Sequence, residues 1–178
     1  MKYILIFLYS ALLSAASCKK NNTQAEDQLP PITQTGARTF GCLVNGKVFI
    51  PKGGDGSGRS NFKAVYELFN GRPYLQLEAK YFINGSPKGD IILFIDSLFT
   101  TGTYPIVTNK RMVNFGWEVY SPTCGVSITD STTFKTGAIN LTKVDVPNGI
   151  FSGTFNCKIK PANCDTIYIT DGRFDYKF

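Results

Sequence analysis

The residues able to do chemistry in this chain are few, and their types narrow the field quickly. There is no histidine among the 178 residues, which removes Ser-His and Cys-His nucleophile pairs and every histidine-based metal centre. Carboxylates remain. On strand-like stretches they are Glu67, Glu78, Asp90 and Glu118, and two of them facing one cleft would suit glycoside hydrolysis, one as acid and one as base or nucleophile. Glu78 is better explained by Lys63 across a hairpin, and Glu67 shares that polar face, so no residue is assigned a catalytic role. Five cysteines include no C-x-x-C pair, so no zinc site is expected, nor any cofactor. The glycine-rich run Pro51–Ser60 lacks phosphate-loop spacing, carries one aspartate and leads into a strand pattern, so it reads as a mobile hairpin connection rather than a phosphate or calcium loop.

Cys18 is different, because its context assigns it a modification. Lys2 is followed by an apolar run from Tyr3 to Leu13 and then by Ser14-Ala15-Ala16-Ser17-Cys18. Residues 1–17 therefore read as a secretory signal peptide, since the run is shorter than the roughly 20 apolar residues that a permanent membrane helix needs. Small residues directly before a cysteine resemble the lipobox of bacterial lipoproteins, although Ala15 stands where leucine is commonest. That resemblance implies lipid attachment (palmitate) at Cys18 and a place on the outer membrane, facing periplasm or exterior; the alternative is ordinary cleavage with Cys18 left as a thiol. Residues 18–38 are polar with almost no large apolar side chain, and read as a lipid-anchored flexible tether.

With Cys18 set aside, Cys42, Cys124, Cys157 and Cys164 form an even set in an exported protein, so two disulfides are plausible. Cys42 with Cys124 and Cys157 with Cys164 is the favoured pairing of three. Net charge is +6, but no lysine-arginine run exceeds two residues, and an exported chain meets little nucleic acid. Solvated strand faces account for the charge.

The elements that must position these residues are strands. Residues 39–178 form one all-β domain, an antiparallel meander of about 9–12 strands closing as a β-sandwich or a closed or partly closed barrel. Asn45-Gly46 and Asn70-Gly71 fit two-residue type I′ turns. The second sets Phe62, Ala64 and Tyr66 opposite Ala79, Leu77 and Leu75, with Lys63 opposite Glu78. A three-residue loop at Asn84-Gly85-Ser86 would bring Ile91, Leu93 and Ile95 opposite Ala79, Leu77 and Leu75. Pro147-Asn148-Gly149 predicts a three-residue loop pairing Leu141 with Phe155 and Ile139 with Cys157. Pro105 marks an edge strand. Trp117 alternates in phase with Val113, Phe115 and Val119, which places it in the core. At the C-terminus, Asp171-Gly172 is either a type I′ turn or a bulge in one long strand whose phase switches at Gly172.

Several stretches resemble a family of uncharacterised Bacteroidota lipoproteins, a domain of unknown function: Thr39-Phe40-Gly41-Cys42-Leu43-Val44-Asn45-Gly46-Lys47-Val48-Phe49-Ile50-Pro51, then Ile150-Phe151-Ser152-Gly153-Thr154-Phe155, then Ile169-Thr170-Asp171-Gly172-Arg173-Phe174-Asp175. The resemblance implies a lipid-anchored, all-β cell-envelope protein and assigns no activity or site. Asp96-Ser97-Leu98, Asp130-Ser131-Thr132 and Asp165-Thr166-Ile167 also resemble the O-glycosylation motif of that phylum.

The functional expectation is a monomeric, non-catalytic binding or structural module. Tyr74, Phe82, Tyr120 and Tyr168 fall on nominally outward strand faces and are the candidate ligand contacts. The partner would be a glycan, a small apolar ligand or another envelope protein, beside the membrane reached through the lipid. A calycin-like barrel carrying a small apolar ligand is the alternative, and a carboxylate-based glycan hydrolase a more distant one.

Overall fold

The computed structural model describes residues 28–54, 56–97, 100–107, 126, 132–162 and 164–178, together with the backbone of 113–116. The signal peptide, Cys18, Glu118, Trp117, Tyr120 and Cys124 lie outside the described residues. Strands β1 (Thr39–Val44), β2 (Lys47–Phe49), β6 (Gly102–Val107), β8 (Phe134–Asp145), β9 (Ile150–Lys160) and β10 (Ile167–Lys177) make one sheet, in the order β2-β1-β10-β9-β8-β6. A second sheet has the order β3-β4-β5-β7, from β3 (Phe62–Phe69), β4 (Arg72–Ile83), β5 (Ser86–Asp96) and β7 (Val113–Gly116). Each pair of neighbouring strands is antiparallel. Of the expected closures the sandwich is the one found, not a closed barrel: the two sheets face each other across a core and, among the described residues, do not join edge to edge.

Alternation explains that core. Leu75, Leu77 and Ala79 on β4 and Ile91, Leu93 and Ile95 on β5 are all at most 1% exposed. They face an aromatic layer from the larger sheet. Phe40 lies 5.3 Å from Phe62, Phe62 lies 5.0 Å from Tyr176, and Tyr66 lies 4.9 Å from Phe151, each contact crossing between the sheets. Burying each such side chain contributes about 2 kcal/mol, so this interlayer is what holds the sheets together.

Turn chemistry sets the registers. Asn45 and Gly46, Asn70 and Gly71, and Asn84 and Gly85 all have positive φ, the pair of conformations a two-residue type I′ turn requires. The β3–β4 register is the one expected from sequence, with Phe62, Ala64 and Tyr66 opposite Ala79, Leu77 and Leu75. At Asn84-Gly85 the loop is shorter than expected, since Ile83 pairs directly with Ser86. A bulge at Tyr81/Phe82 compensates, and Ile91, Leu93 and Ile95 still fall opposite Ala79, Leu77 and Leu75. The β8–β9 register is corrected by two residues. Asp145 pairs with Ile150 across a four-residue loop, and a bulge between Leu141 and Lys143 leaves Leu141 opposite Gly153 and Ile139 opposite Phe155. A two-residue slip preserves the face, so the same side chains point inward.

At the C-terminus the bulge prevails over the turn. Ile167–Lys177 is one strand whose register to β9 shifts between Ile169 and Gly172. Asp171 takes the left-handed conformation at φ 51. Gly172 is required for another reason, because a Cβ there would sit 2.5 Å from the Phe155 carbonyl oxygen. Ile167, Ile169, Phe174 and Tyr176 are consequently all buried.

Two segments read as mobile make defined contacts. At the start of the Pro51–Ser60 connection Lys52 bridges to Tyr81, its carbonyl accepts from the Phe82 N–H at 2.9 Å, and the Gly53 carbonyl accepts from the Asn61 amide at 3.2 Å. Residues 28–38, the described part of the segment read as a tether, make contacts as well. They form a strap along the outer side of the six-stranded sheet, for the reason set out next.

Candidate functional site

The strap is held by one carboxylate. Asp175 lies on β10 at the outward phase, yet is 1% exposed, because the strap folds over it. Its Oδ2 accepts from the Thr33 hydroxyl (2.7 Å), the Thr35 N–H (2.9 Å), the Thr35 hydroxyl (3.3 Å) and the Ala37 N–H (3.1 Å). Its Oδ1 accepts from the Gly36 N–H (2.8 Å) and the Ser152 hydroxyl (2.7 Å). Burial alone would raise the carboxyl pKa, but the bonds from Ala37, Ser152, Thr33 and Gly36 outweigh it and hold the group well below the usual carboxylate range. Arg38 completes the clamp, donating to the Lys177 carbonyl at 3.1 Å and to the Tyr176 hydroxyl at 3.3 Å.

Upstream of that clamp the strap forms the wall of a groove. Ile32 stands beside the outer face of the six-stranded sheet and, with Asn140, Thr154, Asn156, Asp171 and Arg173, lines a groove of about 270 Å³. Cross-strand register builds the floor. Thr103 is opposite Asn140, Asn140 opposite Thr154, and Thr154 opposite Arg173, a polar row crossing four strands; the next row sets Ala138 opposite Asn156. Arg173 is oriented by the Asp171 carbonyl at 3.0 Å and the Pro30 carbonyl at 3.4 Å. Asn140 Oδ1 accepts from the Thr103 hydroxyl at 3.4 Å. The Asn140 amide nitrogen, the Thr154 hydroxyl and the Asn156 side chain make no side-chain hydrogen bond among the described residues. Tyr168, 49% exposed, lies further along the same face with Lys158 Nζ 5.7 Å from its ring centre.

The outer face of the four-stranded sheet is arranged otherwise. Tyr74 packs on Phe94 at 5.3 Å, and its hydroxyl donates to Glu67 at 3.0 Å, which raises the phenol pKa. Glu78 is gripped by Lys63 at 2.8 Å and Lys80 at 2.6 Å. Its partial burial would raise its pKa, and the two lysines lower it past that effect. Asp90, opposite Lys80, is pushed up by burial. Glu78 and Asp90 are thus diagonal neighbours of divergent acidity, the pattern of an acid and base pair. Lysine ammonium groups hold both Glu78 oxygens, however.

The three described candidate aromatics do not converge. Tyr74 and Tyr168 are on opposite outer faces. Phe82 sits at the β4 bulge, its carbonyl and Cβ against Gly53. The groove residues were missed because an outward asparagine or threonine in an alternating strand looks like any solvated position. Only the register shows that they adjoin.

Among the cysteines the favoured pairing is corrected. Cys42 and Cys157 are free and buried. Both face the core from strands separated by β10, about two strand spacings, too far for one disulfide to join them. Burial raises the Cys42 thiol far above its ordinary range and pushes Cys157 up to about 12 despite nearby Lys135. Cys164 is disulfide-bonded, to a partner outside the described residues. No cluster of three or more potential metal ligands occurs among the described residues.

No family model, curated protein or solved structure matches the chain.

Proposed function

We propose that the protein is a lipid-anchored module of the cell envelope that binds a polar ligand, without converting it, in the strap-walled groove on the six-stranded sheet. One observation carries the reading: the Asn140 amide nitrogen, the Thr154 hydroxyl and the Asn156 side chain are brought together at a groove and make no side-chain hydrogen bond among the described residues. Such groups are available to a ligand at no cost in internal bonds. Support for the anchor comes from Ser14-Ala15-Ala16-Ser17-Cys18 behind an apolar leader. Docking of the strap leaves nine residues between Cys18 and Gln28, a reach of at most about 35 Å, so the groove would be held close to the membrane. The acyl mass on Cys18 in membrane-extracted protein tests the anchor, and unmodified Cys18 would remove it. Chemical-shift perturbation with a library of polar compounds tests the groove; shifts confined to other surfaces would refute it.

A further inference from the structure

Resting on that binding reading, we infer that the groove takes a short acidic oligosaccharide. The floor is made of β8, β9 and β10, whose backbones are paired on both sides. An extended peptide therefore finds no strand edge to augment on this floor. What the floor offers is a grid of amides and hydroxyls. The row from Thr103 through Asn140 and Thr154 to Arg173 spans three strand spacings, about 14 Å, longer than a single sugar ring.

Each asparagine amide presents both a donor and an acceptor, which is what vicinal sugar hydroxyls can engage together. Two apolar surfaces flank the polar floor: Ile32, 59% exposed, on the strap and Tyr168, 49% exposed, along the sheet. The C–H face of a pyranose can lie against such surfaces while its hydroxyls turn to the amides. Charge selects among sugars. Among the described residues Arg173 bonds to carbonyls, Lys158 lies against an aromatic ring, and neither makes an ion pair, whereas Asp171 is a carboxylate lining the groove. Within the lining Arg173 and Asp171 balance, and Lys158, two residues along β9 from Asn156, tips the local charge positive, so a uronate or sulfated sugar is favoured over a neutral one.

The test uses the full chain in detergent, isotope-labelled and titrated with oligogalacturonate, oligomannuronate, a chondroitin sulfate tetrasaccharide, maltotetraose and tetraglycine. At least one acidic saccharide should shift the side-chain amide signals of Asn140 and Asn156, and should bind more weakly as salt is raised. Asn140→Ala with Asn156→Ala should weaken that binding at least tenfold without changing the melting temperature. Lys158→Gln should narrow the preference for acidic over neutral sugars. Maltotetraose binding as tightly as the acidic sugars would overturn the charge selection. Shifts at these asparagines with tetraglycine alone would overturn the saccharide inference and leave the groove a binding site. Absence of shifts with every probe would overturn both.

Discussion

The two outer faces of the sandwich have much the same ingredients, strands with aromatic, amide and charged side chains, but they use them in opposite ways. On the four-stranded sheet the polar groups largely answer one another: Tyr74 to Glu67, and Lys63 and Lys80 to Glu78. On the six-stranded sheet the bonds are concentrated at Asp175, where the strap is fastened, while the adjoining groove keeps amides and hydroxyls in reserve. A surface that satisfies itself is complete without a partner. A surface that spends its hydrogen bonds on holding a wall in place, and leaves the floor open, is prepared for one.

The largest effect should come from cutting the clamp. In Asp175→Asn an amide N–H replaces one acceptor oxygen and opposes donors that were bonded to it, such as the Gly36 N–H or the Thr35 N–H. Loss of charge and of satisfied buried donors should cost about 3 kcal/mol, seen as a melt lowered by about 10 °C. The sign of the pH dependence is fixed by the depressed native pKa. Stability from Asp175 is fully present above the unfolded carboxylate value of about 3.9 and is lost as pH falls through the lower folded value. The gap between wild type and variant should therefore hold from neutral pH down to about 5 and close below about 4. A gap that closes already near pH 6 would mean that another group fastens the strap.

Next in size is Gly172→Ala, which attacks the groove floor from beneath. The new Cβ would lie 2.5 Å from the Phe155 carbonyl oxygen and 2.6 Å from its ring. The carbonyl belongs to an interior strand and cannot move far. Overpacking of this kind costs about 2 kcal/mol, measurable by denaturant titration. A neutral result would show that the bulge between Ile169 and Gly172 can relax, and that the groove does not depend on it.

A smaller effect is expected on the opposite face. Glu78→Gln keeps one acceptor but removes the charge that Lys63 and Lys80 share, and Lys63 is 53% exposed. The cost should be about 1 kcal/mol and should shrink in high salt, as for partly exposed ion pairs. Insensitivity to salt would indicate that burial of Glu78, rather than charge pairing, governs that face.

Most of the layered architecture could be read from the chain, and the reasons are local. Asn-Gly dipeptides select type I′ turns, and alternation then places Phe62, Ala64 and Tyr66 opposite Ala79, Leu77 and Leu75 without further information. Bulges were harder, since at Tyr81/Phe82 and Leu141/Lys143 the extra residue answers to tertiary contacts, as when the Phe82 N–H turns to Lys52. The strap was illegible for a related reason. Thr33, Thr35, Gly36 and Ala37 have a disordered-looking composition, and they are ordered by a carboxylate some 140 residues away in sequence. Neither end of that interaction shows a periodic signal. The groove depended on both of these long-range features, so its residues could be recognised as outward but not as neighbours.

The smallest expected change is the sharpest test of the contrast between faces. Thr154→Val removes a half-buried hydroxyl from the centre of the polar row, between Asn140 and Arg173, and puts in its place a methyl of nearly the same shape. Since that hydroxyl makes no side-chain hydrogen bond among the described residues, no such bond is lost, and valine's preference for strands adds a small gain. Stability should then change by less than about 0.5 kcal/mol in either direction, while Glu78→Gln on the other face costs about twice that or more. The two variants differ little in size or burial, so the difference between their denaturant midpoints reports on whether each polar group is already in use. Equal losses would mean that Thr154 is bonded within the protein, and the six-stranded face would then be as self-contained as its counterpart.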